Sequence, residues 1–146
     1  MSGLTGAISL PDGTWVRGRG LRNPTPEPPL PDFGLYLGRG RFRQRHEPTL
    51  TWRHEWIDWP DFRLPADRDA AIAQIRALHE QARAGLLVEV ACGAGIGRTG
   101  TVLSCLAVLA GVAPAEAVEW TRAHYQRRAV ETRAQRDWVE SFPTTA

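Results

Sequence analysis

The chain has 146 residues, of which 42% are hydrophobic and 23% charged, with a formal net charge of +2. That is a common size for one domain around one core, burying roughly 68–70% of its unfolded surface without help from disulfides or a structural metal. The composition excludes collagen-like, coiled-coil and disordered chains, and the longest apolar stretch, residues 101–112, is shorter than the ~20 residues of a membrane helix.

In chain order, residues 7–10 and 14–17 flank Pro11-Asp12-Gly13, a pattern that predicts a short hairpin. Residues 23–32 hold five prolines and form a loop or extended connector. Residues 33–37 and 50–57 read as strands; in the second, Leu50, Trp52, His54 and Trp56 share one face by period two. From residue 69 to 84, Ala71, Ile72, Ile75, Leu78 and Ala82 make a helical stripe closed by Gly85. Residues 86–90 are a short apolar run, the pattern of a central buried strand. Residues 98–111 are apolar almost all round and predict a helix inside the core. Further helices are expected from Pro114 to about Tyr125 and from Thr132 to about Phe142. There are no repeats. The expected architecture is α/β, one domain over residues 1–146, with a central, mostly parallel sheet flanked by helices. A strand–helix–strand crossover from residue 50 to 90 favours parallel neighbours. The loops around Asp61 and Cys92 then meet at the carboxyl edge of adjacent strands, where open α/β sheets bind ligands.

All 18 basic residues are arginine. Two groups stand out, Arg17, Arg19 and Arg22, then Arg39, Arg41, Arg43 and Arg45. Their plain reading is solvated loop arginines, and their functional one is attraction of a phosphorylated partner. A net charge of +2 argues against nucleic acid. Two cysteines and four scattered histidines make neither a disulfide framework nor a zinc site. The N-terminus lacks a charged region followed by an apolar run, so no secretory signal is expected, and the expected setting is reducing and cytoplasmic.

The chemistry concentrates in Ala91-Cys92-Gly93-Ala94-Gly95-Ile96-Gly97-Arg98-Thr99-Gly100, between the buried strand and the buried helix. A cysteine at a helix N-terminus beside an arginine is favoured as the thiolate, a strong nucleophile. Glycines at 93, 95 and 97 let the backbone curl so that successive N–H groups make an anion cradle. Arg98 closes it with a planar fork that matches two phosphate oxygens. A Walker loop is excluded because the lysine of Gly-Lys-Ser/Thr is absent. A sulfurtransferase carries its persulfide on a similarly curled loop, and the loop alone does not separate the two.

Cys92 to Arg98 resembles the C-x5-R signature of the cysteine-dependent protein tyrosine phosphatases, of the small tyrosine or dual-specificity type. Trp59-Pro60-Asp61 is similar to that family's mobile WPD loop. Glu131-Thr132-Arg133-Ala134-Gln135 resembles its QTxxQ loop, with Glu131 in place of the first glutamine. Low-molecular-weight phosphatases and arsenate reductases carry the cysteine loop near the N-terminus, unlike this chain. The resemblance implies that Cys92 attacks phosphorus, while Arg98 and the amides of Gly93, Ala94, Gly95, Ile96, Gly97 and Arg98 hold the phosphate oxygens. Asp61 would then serve as general acid and base, Thr99 as hydrogen-bond donor to the departing thiolate, and Gln135 as the residue that positions water. No metal or organic cofactor is implied. Gln135 also stands three residues after Thr132, a helix capping box. Asp58 is a rival carboxylate, Cys105 reads as core, and His54 and His124 carry no motif.

Two departures stand out. Ala91 replaces a histidine usual before the nucleophile, and no Asn-Arg-Tyr loop is present to line a deep phosphotyrosine pocket; Phe33, Tyr36, Phe42 or Trp52 could substitute. The expected function is hydrolysis of phosphate monoesters on phosphotyrosine proteins, extending to phosphoserine and phosphothreonine, with no membrane partner. The alternatives are a phosphatase for a lipid, nucleotide or RNA end, which uncharged Gly93 and Ile96 disfavour for polyanionic rings, and a weakened phosphoprotein-binding module.

Overall fold

The computed structural model describes residues 3–144. Five strands, β1 (Ile8–Ser9), β2 (Trp15–Gly20), β3 (Phe33–Leu37), β4 (His54–Ile57) and β5 (Val88–Cys92), form one sheet in the order β1-β2-β5-β3-β4. β1 and β2 are the antiparallel hairpin, while β2, β5, β3 and β4 are mutually parallel. The helices are α1 (Gly40–His46), α2 (Arg68–Arg83), α3 (Gly97–Leu109), α4 (Ala117–His124) and α5 (Arg133–Glu140). The α/β class with a mostly parallel sheet is as the sequence implies. Among the described residues no helix is long and apolar enough to cross a membrane.

Several expectations change. Residues 50–53 are not strand, because a 3-10 turn at Glu47–Thr49 leads into a bend before β4 begins at His54. The central strand lies two residues later than expected, so Cys92 is its last residue rather than part of the loop. The helix expected at Pro114 opens as a 3-10 turn, Pro114–Glu116, before α4. β4 and β5 are not adjacent, since β3 lies between them. The crevice at the carboxyl edge is therefore built by three strand ends rather than two.

The register divides the sheet into two unlike faces. Val16, Leu35, Leu37, Val88, Val90, Cys92 and Ile57 meet the apolar sides of α2, α3, α4 and α5 in the main core. α2 buries Ala71, Ile72, Ile75 and Leu78 there, started by an Asp67 carboxylate that accepts from the Ala70 N–H. The opposite face carries Arg17, Glu89, Gly34 and His54 in one row and Arg19, Ala91, Tyr36 and Trp56 in the next. Leu21, Leu50, Phe42 and Trp52 cover part of it. Arg17 and Arg19 are thus not solvated loop residues. Both donate to the buried Glu89 carboxylate, Arg17 at 2.8 and 2.6 Å and Arg19 at 2.9 and 3.1 Å, and Tyr36 adds its hydroxyl at 2.6 Å.

Candidate active site

The cysteine loop follows from close approaches between β2 and the turn after β5. Gly95 has φ +77°, and a Cβ there would strike the Arg19 and Gly20 backbone, while one at Gly20 would strike Ala94 and Gly93. Only glycine lets these two segments touch. The loop's carbonyls are then engaged from outside. Leu21 N–H donates to Cys92 O at 2.7 Å, Arg22 N–H to Gly93 O at 3.1 Å, and Val130 N–H to Ile96 O at 3.4 Å. The Tyr125 hydroxyl donates to Gly95 O at 2.6 Å. In a planar trans peptide the next residue's N–H points opposite its carbonyl. The amides of Gly93, Ala94, Ile96 and Gly97 therefore turn toward the interior of the loop, at the N-terminus of α3, where anions are favoured.

Cys92 Sγ sits at the bottom, 2% exposed. It accepts from the Gly95 N–H at 3.3 Å and from the Thr99 hydroxyl at 3.0 Å. Burial, and then the charge of Cys92, push the Tyr125 phenol up, which keeps it a donor to the loop. Burial likewise pushes up the Cys105 thiol, inside α3, consistent with a packing role.

Arg98 joins all three strand ends. Its Nη1 donates to Leu37 O at the end of β3 at 3.2 Å and to Trp59 O after β4 at 3.0 Å, while Nη2 lies 3.4 Å from Asp61 Oδ1. Its Nε is buried and has no hydrogen-bond partner. A buried guanidinium N–H is costly to leave unpaired, so this atom is aimed at something that binds. A phosphate oxygen in the amide cradle meets that need.

The segment after β4 is anchored by Trp59, fully buried, which packs on Trp138 and donates from Nε1 to Arg63 O at 2.7 Å. Phe62 follows Asp61 with φ 61° and an exposed ring. Asp61 faces Arg98, whereas the rival Asp58 is held by Arg39 at 3.1 Å. Gln135 forms the capping box, its Oε1 accepting from Glu131 and Thr132 N–H and its Nε2 donating to Arg63 O at 3.4 Å. One Nε2 proton is left over. Among the described residues no three His, Cys, Asp or Glu side chains are grouped to hold a metal ion.

Sequence reading gave Val130 no role and did not place Glu131, Arg22 or Phe42 against this loop. Val130, a β-branched residue at φ 65°, turns the chain so that the Glu131 carboxylate lies on Gly97. The Arg22 guanidinium lies against Gly93. Phe42 has both Arg22 and Arg98 within cation–π distance. A larger cavity of about 670 Å³, lined by Asp12, His79 and Leu109 among others, lies at the opposite edge of the sheet and is lined by no cysteine.

The architecture matches solved phosphatase structures closely enough to share their fold. Kinase associated phosphatase (KAP) superimposes with a TM-score of 0.72 at 11% identity, over 97% of this chain and 94% of that one. Tk-PTP in its active form gives 0.69 at 20% identity, over 94% and 96%. PTPMT1 in complex with PI(5)P gives 0.57 at 16% identity, over 75% and 74%. No curated protein matches the chain in sequence. Residues 54–142, the stretch that carries Asp61, Cys92, Arg98, Thr99 and Gln135, match the model of the PTP-SAK family, Swiss Army Knife protein, DSP-PTPase phosphatase domain, and the chain belongs to that family of cysteine-dependent phosphatases.

Proposed function

We propose that this phosphatase hydrolyses phosphate monoesters on proteins, phosphotyrosine first and phosphoserine or phosphothreonine as well, through a cysteinyl-phosphate intermediate formed on Cys92. The observation that carries the assignment is a buried Arg98 Nε without a hydrogen-bond partner, in the same glycine-rich loop and helix start whose Gly95 amide donates to the Cys92 thiol. In the first step Cys92 Sγ attacks phosphorus and the ester oxygen leaves with a proton from Asp61. Arg98 and the amides of residues 93–98 hold the three equatorial oxygens as charge builds on them. In the second step water attacks the thiophosphate, Asp61 takes its proton, and inorganic phosphate departs. The sulfur leaves as thiolate toward the Thr99 hydroxyl, already 3.0 Å away. Gln135 orients the water through the Nε2 proton that its cap leaves over. No metal or cofactor enters these steps. The nucleophile must stay reduced, so a reducing, cytoplasmic setting belongs to the proposal.

A non-protein ester is the second reading, favoured by one observation, the fold shared with PTPMT1, which was solved with PI(5)P. The decisive experiment is phosphate release from phosphotyrosine, phosphoserine and phosphoinositide substrates by the wild type and by Cys92→Ser. Turnover of phosphopeptides that disappears in the serine variant, with ligand binding kept, is expected. Comparable turnover by the variant would remove Cys92 from the nucleophile role.

A further inference from the structure

Beside the phosphate loop lies a cavity of about 280 Å³ lined by Arg22, Arg41, Phe42, Arg45 and His46. α1 supplies four of the five residues, and its pattern explains their charge state. Arg39, at its N-cap, and Arg43 stand four residues apart and are each matched with a carboxylate, Asp58 and Glu47 respectively. Arg41 and Arg45 are also four apart, roughly 200° around the helix from that pair, and turn into the cavity. Among the described residues no carboxylate lies within ion-pair distance of Arg22, Arg41 or Arg45. Three guanidiniums thus share one concavity with nothing to neutralise them. The ring of His46 feels this, since burial and then the charges of Arg45, Arg22 and Arg19 disfavour its protonation.

A single side chain, Phe42, lines the cavity and also contacts Arg98. The guanidinium carbons of Arg22 and Arg98 each lie 5.8 Å from the centroid of the Phe42 ring, so they stand within twice that distance of each other. Arg22 also touches Gly93 of the loop itself. A molecule whose ester phosphate is held by Arg98 therefore reaches the second cluster with a short arm.

Resting on the phosphatase reading above, we infer that Arg22, Arg41 and Arg45 form a second phosphate subsite, and that the preferred substrate carries a second phosphate next to the one hydrolysed. Charge decides between ligands. Three unpaired cations match a phosphate dianion better than a single carboxylate, and planar guanidinium forks bind it bidentately. Spacing fits as well. An extended chain advances ~3.4 Å per residue, so phosphoresidues one to three positions apart span the gap, as do two phosphates on one small ring.

The test measures binding to the Cys92→Ser protein, so that it does not depend on turnover. The probes are one tyrosine peptide phosphorylated once or twice, and inositol mono- and bisphosphate. The second phosphate is expected to tighten binding about tenfold or more, and the ratio is expected to fall toward one in the Cys92→Ser/Arg41→Ala/Arg45→Ala protein. Both replaced arginines are exposed, and a thermal melt verifies the fold. Preference in the peptide pair alone identifies a protein substrate, and preference in the inositol pair alone a small polyol. A ratio within twofold of one in both pairs, or a ratio untouched by the two alanines, overturns the subsite. So does loss of binding to anionic phosphatidylserine vesicles with the soluble ratios unchanged. Absence of turnover in the wild type with the binding preference intact would overturn the phosphatase reading and leave the subsite standing.

Discussion

Replacing Glu89 with glutamine tests how the cysteine loop is held. Glu89 is fully buried one turn of the pleat before Ala91, and five hydrogen bonds converge on it from Arg17, Arg19 and Tyr36. Glutamine has nearly the same shape but keeps a single acceptor oxygen. Its NH2 group would face the Arg19 Nη2 and the Tyr36 hydroxyl, which already accepts from Trp52 Nε1 at 2.6 Å. Two guanidiniums, 2% and 9% exposed, would be left without a counter-charge. Breaking such a pair costs about 3–5 kcal/mol, which for a domain of this size lowers Tm by about 10–15 °C. Burial by itself would raise the Glu89 carboxyl, but the bonds and charges of Arg19, with Tyr36 and Arg17, outweigh it and hold the group below the usual carboxylate range. A depressed value means that the ionised carboxylate contributes its full stability above the unfolded value of about 4.3 and loses it as pH falls through the folded one. Urea unfolding of both proteins should therefore show a constant gap from neutrality to about pH 5 and a narrowing gap below about pH 4. A loss under about 1 kcal/mol at pH 7, or a gap that does not depend on pH, would refute the claim that this carboxylate locks β2 to β5.

Asp61→Asn should lower kcat by about 10²–10⁴-fold, with the loss largest for esters with poor leaving groups and small for p-nitrophenyl phosphate. If Asp58→Asn shows that dependence instead, Asp61 is not the acid; a sulfurtransferase would show none and would form a persulfide on its cysteine with thiosulfate, releasing sulfite. Glu131→Gln removes a negative charge from the mouth of the anion cradle, so inorganic phosphate should inhibit at a concentration about two- to fivefold lower. The same change should cost about 0.3–1 kcal/mol of stability, because the carboxylate faces the N-terminus of α3; unchanged inhibition would place Glu131 away from the bound phosphate. Ala91→His should destabilise the fold by about 1–3 kcal/mol through overpacking, since Ala91 is fully buried among Leu21, Tyr36, Leu50 and Trp56. An undisturbed melting temperature would show that the ring finds room.

What could be read from the residues was what local pattern and motif encode. α2 was legible because its stripe repeats every three to four residues. β5 and α3 were legible because a short apolar run, a glycine-rich turn and an apolar helix follow one another. α1 was not, because Gly40–His46 contains one apolar residue, Phe42, and its N-terminus has no side-chain cap and no acid in the first turn. Its apolar contact is tertiary, the edge-on packing of Phe42 against Trp56. Without that helix the arginines at 41 and 45 look like any surface run, and their separation from 39 and 43 is invisible. Strand order escaped for a similar reason. The crossover rule makes β4 and β5 parallel but does not say that β3 inserts between them, and the Arg98 contact to Leu37 O depends on that insertion. Cys92, Arg98 and Asp61 were legible as a constellation. Their restraints (Glu89, Tyr125, Val130) come from elements that meet only in the folded chain.

The two faces of the sheet suggest why Ala91 stands before Cys92. On this face the rows crossing β5 pair Glu89 with Arg17 and Gly34, and Ala91 with Arg19 and Tyr36. Tyr36 bends back over Gly34, where a Cβ would collide with its hydroxyl, and so delivers that hydroxyl to Glu89. A large residue at 91 would compete with the Tyr36 and Trp56 rings for the same volume. Alanine there and glycine at 34 are the small partners that let two aromatics and two arginines close over one carboxylate. That network fixes β2 against β5, and β2 in turn carries Gly20, Leu21 and Arg22, which shape the cysteine loop and hold its carbonyls outward. A polar side chain at position 91 is therefore not what orders the loop in this chain; the ion-paired face beneath it is. The thiol keeps its donors from within the loop and helix, the Gly95 amide and the Thr99 hydroxyl, neither of which passes through residue 91.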